Sequence, residues 1–68
     1  MFEKLREIRT QKGVTCKQLA ELLGLKTRGA YQKKEMGNVP FTLEEAKRIA
    51  DFFRMDINDV FFAHEVSG

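Results

Sequence analysis

Apolar residues recur at helical spacing along most of the chain, and no segment alternates between apolar and polar residues as a strand does. Near the start, Phe2, Leu5 and Ile8 are separated by charged residues. Gly13 follows them and is typical of a helix end. This pattern predicts a first helix over about residues 2–12, with one apolar side turned toward a core.

A helix, a short turn and another helix are expected next. Thr15 and Gln18 have the spacing of a capping box, so a second helix is predicted to begin at residue 16 and to run to about Leu23. Gly24 then stands where the chain must turn through a positive φ at low cost. Residues 27–36 are again compatible with a helix, which is polar for its length.

The last third of the chain predicts two more helices. Thr42 and Glu45 form a second capping-box pattern. The apolar face that follows it has helical spacing and consists of Leu43, Ala46, Ile49, Ala50 and Phe53. Asp56 is a suitable cap for a short fifth helix over residues 57–62. The sequence therefore predicts an all-α fold of five helices.

Length and composition exclude several classes of protein. The chain has 68 residues, one cysteine (Cys16) and no tryptophan, which indicates one domain, expected over residues 1–64 with an irregular tail at 65–68. No disulfide, metal site or catalytic cluster is predicted, so we expect neither an enzyme nor a cofactor or small-molecule ligand. Without a long apolar run or a signal peptide, a soluble cytoplasmic protein without membrane contact is expected.

Charge is distributed unevenly along the chain. Residues 1–38 carry nine bases and four acids, a net charge of +5. Residues 39–68 carry three bases and six acids, a net charge of −3, so the total is only +2. The basic half is suited to a polyanion, although small soluble domains often scatter their charge unevenly without any such partner.

The second and third predicted helices have the features of a helix-turn-helix. Ala20 is small where the third helix must cross the second closely, and Gly24 follows it at the turn. Apolar residues that would seal the pair onto the core are Leu19, Leu23 and Leu25. In this motif the second helix lies in the major groove of DNA with its first residues against the base edges.

With these features the chain resembles the phage Cro and lambda-type repressor family, also called the xenobiotic-response-element helix-turn-helix family. The stretches that carry the resemblance are LREIR at 5–9, KGVT at 12–15, QLAELLGL at 18–25, KEMG at 34–37, PFTL at 40–43, AKRIA at 46–50 and MDINDVF at 55–61. The resemblance implies a five-helix DNA-binding domain and a transcriptional regulator of a phage or another mobile element, often a dimer.

Two positions of the third helix differ from the common family pattern. The segment 24–35 is one residue longer than its commonest form, so Tyr31 is expected to fill the apolar slot of the third helix. Lys34 stands where an isoleucine is common. Either that position is exposed, or the lysine stem lies along the core with its ammonium group outward.

The start of the third helix contains the candidates for reading bases. Arg28 can bond both acceptors of guanine, the alternative being a solvated or phosphate-bound arginine. One turn later, Gln32 can pair with adenine or remain a neutral surface residue. Lys26 and Thr27 are expected to bond phosphate more readily than a base edge. Gly29 either lets the backbone come close to DNA or loosens a loop before the helix begins.

Further candidates are expected to hold the phosphate backbone. Lys17, Gln18 and the amides of the second helix N-terminus form a phosphate site, helped by the helix dipole. Lys33 and Asn38 are expected to contact the flanking strand, from the third helix and the following loop. Arg9 either reaches a phosphate or is a solvated helix charge.

The C-terminal half has more apolar residues than one small core readily hides. We expect some of them to lie in the core and others to form a dimer contact; they are Phe52, Met55, Phe61 and Phe62. A homodimer presents two recognition helices about 34 Å apart and reads a near-palindrome in double-stranded DNA.

Two functions from different classes follow from these observations. The leading hypothesis is a sequence-specific regulator of transcription that binds double-stranded DNA, most simply a repressor that covers a promoter. The alternative is a protein-interaction module on the same fold, an antirepressor or antitoxin-like partner that uses the apolar, acidic C-terminal half. No cluster of residues supports an enzyme.

Overall fold

Five helices follow one another in the part of the chain that the computed structural model describes, residues 2–61. They are α1 (Glu3–Gln11), α2 (Cys16–Leu22), α3 (Arg28–Glu35), α4 (Leu43–Phe53) and α5 (Ile57–Phe61). Residues 2–61 contain no strand, so the all-α prediction is confirmed. The first three predicted helices differ from these bounds by at most one residue at each end. Residue 62, the domain boundary at residue 64 and the tail at 65–68 lie outside the described residues.

Both predicted capping boxes form. The Thr15 hydroxyl accepts a hydrogen bond from the Gln18 backbone N–H at 3.1 Å, and the Gln18 side-chain oxygen accepts one from the Thr15 N–H at 2.8 Å. Thr42 and Glu45 repeat this exchange at the start of α4, with both bonds at 3.0 Å. Because each box satisfies amides that have no partner within the helix, the starts of α2 and α4 are fixed locally by sequence.

A residue with a left-handed backbone follows each of the first four helices, a glycine after α1, α2 and α3 and Arg54 after α4. Gly24 has the expected positive φ, 74°, which turns the chain so that the Leu25 N–H reaches the Ala20 carbonyl at 2.8 Å. Arg54 ends α4 with a φ of 57°, a conformation that the sequence did not indicate because it is unusual outside glycine. The Asp56 carboxylate then accepts a backbone N–H of α5 at 2.8 Å, as predicted for a cap.

Each helix contributes one fully buried large side chain to a single core. These side chains are Leu5, Leu19, Tyr31, Ile49 and Val60. The predicted inner face of α4 is buried at Ala46, Ile49, Ala50 and Phe53, whereas Leu43 at its start is 73% exposed. Burying a large apolar side chain stabilises the fold by about 1.5–3 kcal/mol, so packing holds these short helices together.

Three phenylalanine rings join the N-terminus, the loop before α4 and α5. Phe2, Phe41 and Phe61 contact one another edge to face, with ring centroids 5.3 to 5.5 Å apart. Phe61 is only 4% exposed, so it is a core residue of the single chain and little of its surface remains for a partner. Among the other expected dimer contacts, Met55 is half-buried against the core and Phe52 is 46% exposed.

Candidate nucleic-acid interface

Helix α3 has an inner and an outer face. Tyr31 is fully buried and fills the apolar slot predicted for it, and Glu35 one turn later is only 4% exposed. The outer face consists of exposed residues at helical spacing, namely Arg28, Gly29, Gln32, Lys33 and Met36. The helix therefore presents two cations and an amide to solvent while its other side is bound to the core.

The contact between α2 and α3 is the most extensive between any two helices of residues 2–61. Ala20 is 2% exposed, in agreement with the need for a small residue where the helices cross. Leu19 and Leu23 are also buried, and Leu25 in the turn packs partly against them. The pair has the order and close packing of a helix-turn-helix, with α3 as its second helix.

The start of α3 is set by Thr27. Its hydroxyl accepts a hydrogen bond from the Ala30 backbone N–H at 3.1 Å, which makes Thr27 the N-cap. Gly29 lies inside the first turn of α3, so the interpretation that it loosens a loop is wrong. A Cβ atom at Gly29 would meet only the Thr27 hydroxyl, at 3.9 Å. The fold itself therefore does not require glycine at this position.

All the residues expected to contact DNA are exposed. They are Lys17, Gln18, Lys26, Thr27, Arg28, Gly29, Gln32, Lys33 and Asn38. Gln18 uses its side-chain oxygen in the capping box, so its amide NH₂ is the end suited to an anion. Asn38 lies in the loop after α3 and is tied to that helix by its N–H, which reaches the Lys33 carbonyl at 2.9 Å.

Arg9 is part of an internal cluster that the local sequence pattern does not indicate. Its Nε and Nη2 atoms donate to the two carboxylate oxygens of Glu35 at 2.9 and 3.3 Å, and Nη1 donates to the Val14 carbonyl at 3.2 Å. The Tyr31 hydroxyl also donates to Glu35, at 3.1 Å. Both interpretations of Arg9, phosphate contact and solvated charge, are therefore wrong, because the side chain is only 13% exposed.

The electrostatics of this cluster favour one fixed protonation state. The hydrogen bond to Glu35 is the main reason why the pKa of Arg9 is raised above its usual value, which keeps the guanidinium charged. Burial, followed by the nearby Glu35 carboxylate, raises the pKa of Tyr31 well above its usual range, so the phenol remains neutral and donates. The Arg9–Glu35 pair thus ties α1 to α3, and the Tyr31 hydroxyl holds the same Glu35 carboxylate from within α3.

Lys34 makes a second connection, between α3 and the start of α4. Its Nζ atom donates to the Pro40 carbonyl at 3.1 Å and to the Glu45 carboxylate at 3.0 Å, and lies 5.9 Å from the centre of the Phe41 ring. Of the two interpretations, the lysine stem against the core is correct. The ammonium group is nevertheless bonded within the protein, since the Lys34 side chain is only 11% exposed.

Glu45 has a lowered pKa. Burial by itself would raise the pKa of this carboxyl group, but hydrogen bonds from the Thr42 backbone and from Lys34, together with the lysine charge, outweigh it. The ionised carboxylate therefore stabilises both the α4 cap and the loop that carries Asn38.

The internal ion pairs change the charge balance of the outer surface. In residues 16–36, Lys34 and Glu35 are held inside by their partners. The exposed charges of that segment are four cations, Lys17, Lys26, Arg28 and Lys33, and one carboxylate, Glu21. The surface of α2 and α3 is therefore clearly cationic, as a polyanion requires.

Metal-binding and membrane-spanning features are not found in residues 2–61. In that part of the chain, no three His, Cys, Asp or Glu side chains are grouped as a metal site would require. No helix there is sufficiently long and apolar to cross a bilayer. Cys16 is a free thiol, 8% exposed, at the start of α2.

Comparison with protein families agrees with this geometry. The family model described as helix-turn-helix matches residues 5–60, which is most of the chain. Comparisons with curated proteins and with solved structures give no match. Proteins of this family are DNA-binding regulators and do not form an enzyme family. The chain therefore belongs to the helix-turn-helix family of the Cro and lambda-repressor type, and it is a DNA-binding regulator of transcription.

Proposed function

We propose that this protein is a sequence-specific repressor of phage or mobile-element type that binds a near-palindromic operator as a homodimer in the cytoplasm. The observation that carries the proposal is the solvent-exposed surface of α3, where Arg28, Gln32 and Lys33 are exposed while Tyr31 and Glu35 anchor the same helix in the core. A rigid helix with polar donors on its free face is suited to the major groove, where base edges present acceptors.

Arg28 and Gln32 are the proposed base-reading residues. They are four residues apart on α3, so their side chains lie on the same side of the helix. The planar guanidinium of Arg28 can bond two acceptors of guanine, and the Gln32 amide can both donate to and accept from adenine. Gly29 between them carries no side chain that would hold the helix away from the base pairs.

The remaining cations are proposed to hold the phosphate backbone. Lys17 and Gln18 lie at the start of α2, and Lys26 and Thr27 lie at the start of α3. Lys33 and the loop residue Asn38 are proposed to contact the phosphates of the flanking strand. Contacts of this kind fix the register of the protein on the duplex and carry most of the sequence-independent affinity.

A homodimer is proposed through Phe52, an exposed apolar residue near the end of α4. Phe52 is 46% exposed, with its ring edge to face on the buried Phe53 at 5.2 Å, so it is held in place for a partner. We expect wild-type protein to sediment as a dimer on its operator and Phe52→Ser to sediment as a monomer. A monomer mass for the wild type at high concentration and on operator DNA excludes the dimer.

Selection from a random duplex library tests specificity and symmetry together. For a repressor of this type, the selection should recover one near-palindromic sequence with half-sites about one turn of DNA apart. Recovery of sequences without any common motif contradicts the proposed sequence specificity, and a single unrepeated half-site contradicts the proposed dimer.

The salt dependence of binding tests the phosphate contacts. Each phosphate that the protein neutralises adds about −0.9 to the slope of log K against log salt. We therefore expect Lys33→Ala to make the slope less negative by about one unit. Lys47→Ala, which removes an exposed cation of α4, is the matched control and should leave the slope unchanged. Equal slopes for the wild type and Lys33→Ala contradict a phosphate contact at Lys33.

A further inference from the structure

Met36 is a large apolar side chain on the otherwise polar outer face of α3. It is 56% exposed and does not belong to the hydrophobic core. Its backbone remains helical, with φ −76° and ψ −11°, and its N–H donates to the Gln32 carbonyl at 2.9 Å. The side chain is therefore placed by the last turn of α3 and is not part of a mobile loop.

The position of Met36 puts it beside the proposed base-reading residues. Arg28, Gln32 and Met36 follow one another at intervals of four residues, so they lie along one side of α3. Helical side chains lean toward the N-terminus of their helix, so Met36 covers the turn that carries Gln32 and Lys33. The Met36 side chain therefore contacts any molecule that binds to Gln32 and Lys33.

We propose that Met36 contacts the C5-methyl group of a thymine and so makes the protein prefer thymine at one position of its operator. The inference rests on the proposed DNA-binding function of α3. In the major groove the thymine methyl is the apolar group by which a base pair can be distinguished, alongside its hydrogen-bonding atoms. The flexible, polarisable thioether of methionine adapts to such a small apolar surface without a preformed pocket.

The cationic surroundings select DNA as the occupant over a second protein chain. Exposed Lys33 is three residues before Met36, and exposed Arg28 is on the same side of the helix. An apolar protein partner would have to leave these cations in contact with a dry interface, which is unfavourable unless each is paired. A duplex supplies phosphates for the cations and a methyl group for the thioether.

The experiment removes the thymine methyl group from the DNA and the thioether side chain from the protein in separate measurements. Binding of the full chain to its selected operator is measured by fluorescence anisotropy, with each thymine replaced singly by deoxyuridine, which lacks only the C5-methyl group. We expect one replacement to weaken wild-type binding about fourfold, the equivalent of exposing one methylene-sized group. Met36→Ala should bind the unmodified operator more weakly by a similar factor and should no longer respond to that replacement.

Leu43→Ala is the matched control, because Leu43 is also an exposed apolar residue, at 73%, but lies at the start of α4, about two and a half helical turns before the proposed dimer residue Phe52 and so on the opposite side of that helix. It should bind with wild-type affinity and retain the response to deoxyuridine. The proposal is overturned if no single replacement weakens wild-type binding, or if Met36→Ala responds to deoxyuridine as the wild type does.

The two proposals can fail separately. If the wild type binds its operator tightly and is indifferent to every deoxyuridine, the role of Met36 is wrong and DNA binding stands. If the wild type selects no duplex sequence, sequence-specific binding fails and the thymine contact fails with it. Far-UV circular dichroism of the variants shows whether any loss of binding comes from unfolding, which is not expected at a site this exposed.

Discussion

Replacing Arg9 with methionine removes the cation that holds the buried carboxylate of Glu35. Methionine keeps most of the aliphatic stem, so the substitution tests the charge and its hydrogen bonds more than the packing. In the variant, Glu35 keeps the Tyr31 hydroxyl as a donor, at 3.1 Å, but loses two bonds from the guanidinium. The Val14 carbonyl also loses its bond from Arg9.

The expected loss of stability follows from burial. The two side chains of the pair are 13% and 5% exposed, so water cannot readily replace the missing cation at Glu35. Removing one partner of a buried pair typically costs about 3–5 kcal/mol. A domain of 68 residues has a free energy of unfolding of about 3 to 10 kcal/mol, so Arg9→Met should lose a third or more of it.

Glu35→Gln should lower the free energy of unfolding by less than Arg9→Met does, about 1.5–3 kcal/mol. The amide keeps the shape of the carboxylate and one acceptor, and the Arg9 side chain left without its ion pair is the more exposed of the two partners. In a double-mutant cycle, the two changes together should destabilise the protein by less than their sum, by at least about 1 kcal/mol. Urea unfolding followed by circular dichroism measures all four free energies.

Arg48→Met is the control for this cycle, because Arg48 forms a pair of similar length, 3.1 Å, with Glu44 on the surface of α4. These side chains are 52% and 77% exposed, so loss of the pair should cost only about 0.3–0.5 kcal/mol. If Arg9→Met costs no more than Arg48→Met, or if the cycle shows no coupling, the reasoning about the buried pair is refuted.

Two glycines and one carboxylate give further predictions. Gly24→Ala should destabilise the protein by about 1–2 kcal/mol, because its φ of 74° is strained for alanine. Gly29→Ala in α3 should instead stabilise the protein by about 0.4–1 kcal/mol. Thermal unfolding measures both changes, and a shift of the melting temperature in the same direction for both variants contradicts the argument. Because the pKa of Glu45 is lowered from its ordinary 4.5, the stability it contributes is present above that pH and is lost as the pH falls through the lowered pKa. Glu45→Gln should therefore flatten the acid limb of the stability profile, and an unchanged limb would show that the bonds from Lys34 and Thr42 do not favour the ionised form.

Local signals account for the parts of the fold that were predicted correctly. The capping boxes at Thr15 and Thr42 and the turn at Gly24 each depend on residues within a few positions of one another. Such interactions can be recognised in the sequence because their partners are neighbours in the chain. Arg54 was missed because its left-handed backbone has no glycine to mark it in the sequence.

Ion pairs between distant residues account for most of what was missed at the site. Arg9 and Glu35 are 26 positions apart, and Lys34 and Glu45 are 11 apart. A charged residue in a helix is compatible with either solvent or a distant partner, and its local spacing does not distinguish them. Only the structure shows that Arg9 and Lys34 are held inside by their partners, and therefore which cations remain available to DNA.

The sequence by itself determined the starts of α2 and α4, the helix-turn-helix order and the exposed character of Arg28, Gln32 and Lys33, because local hydrogen bonding and apolar periodicity decide these. Only the tertiary structure decided that Arg9 and Lys34 are internal, that Phe61 belongs to the core and that Met36 shares the outer face of α3. The physical reason is that burial and pairing depend on which helices meet, and in this chain Arg9 reaches Glu35 only when α3 packs against α1.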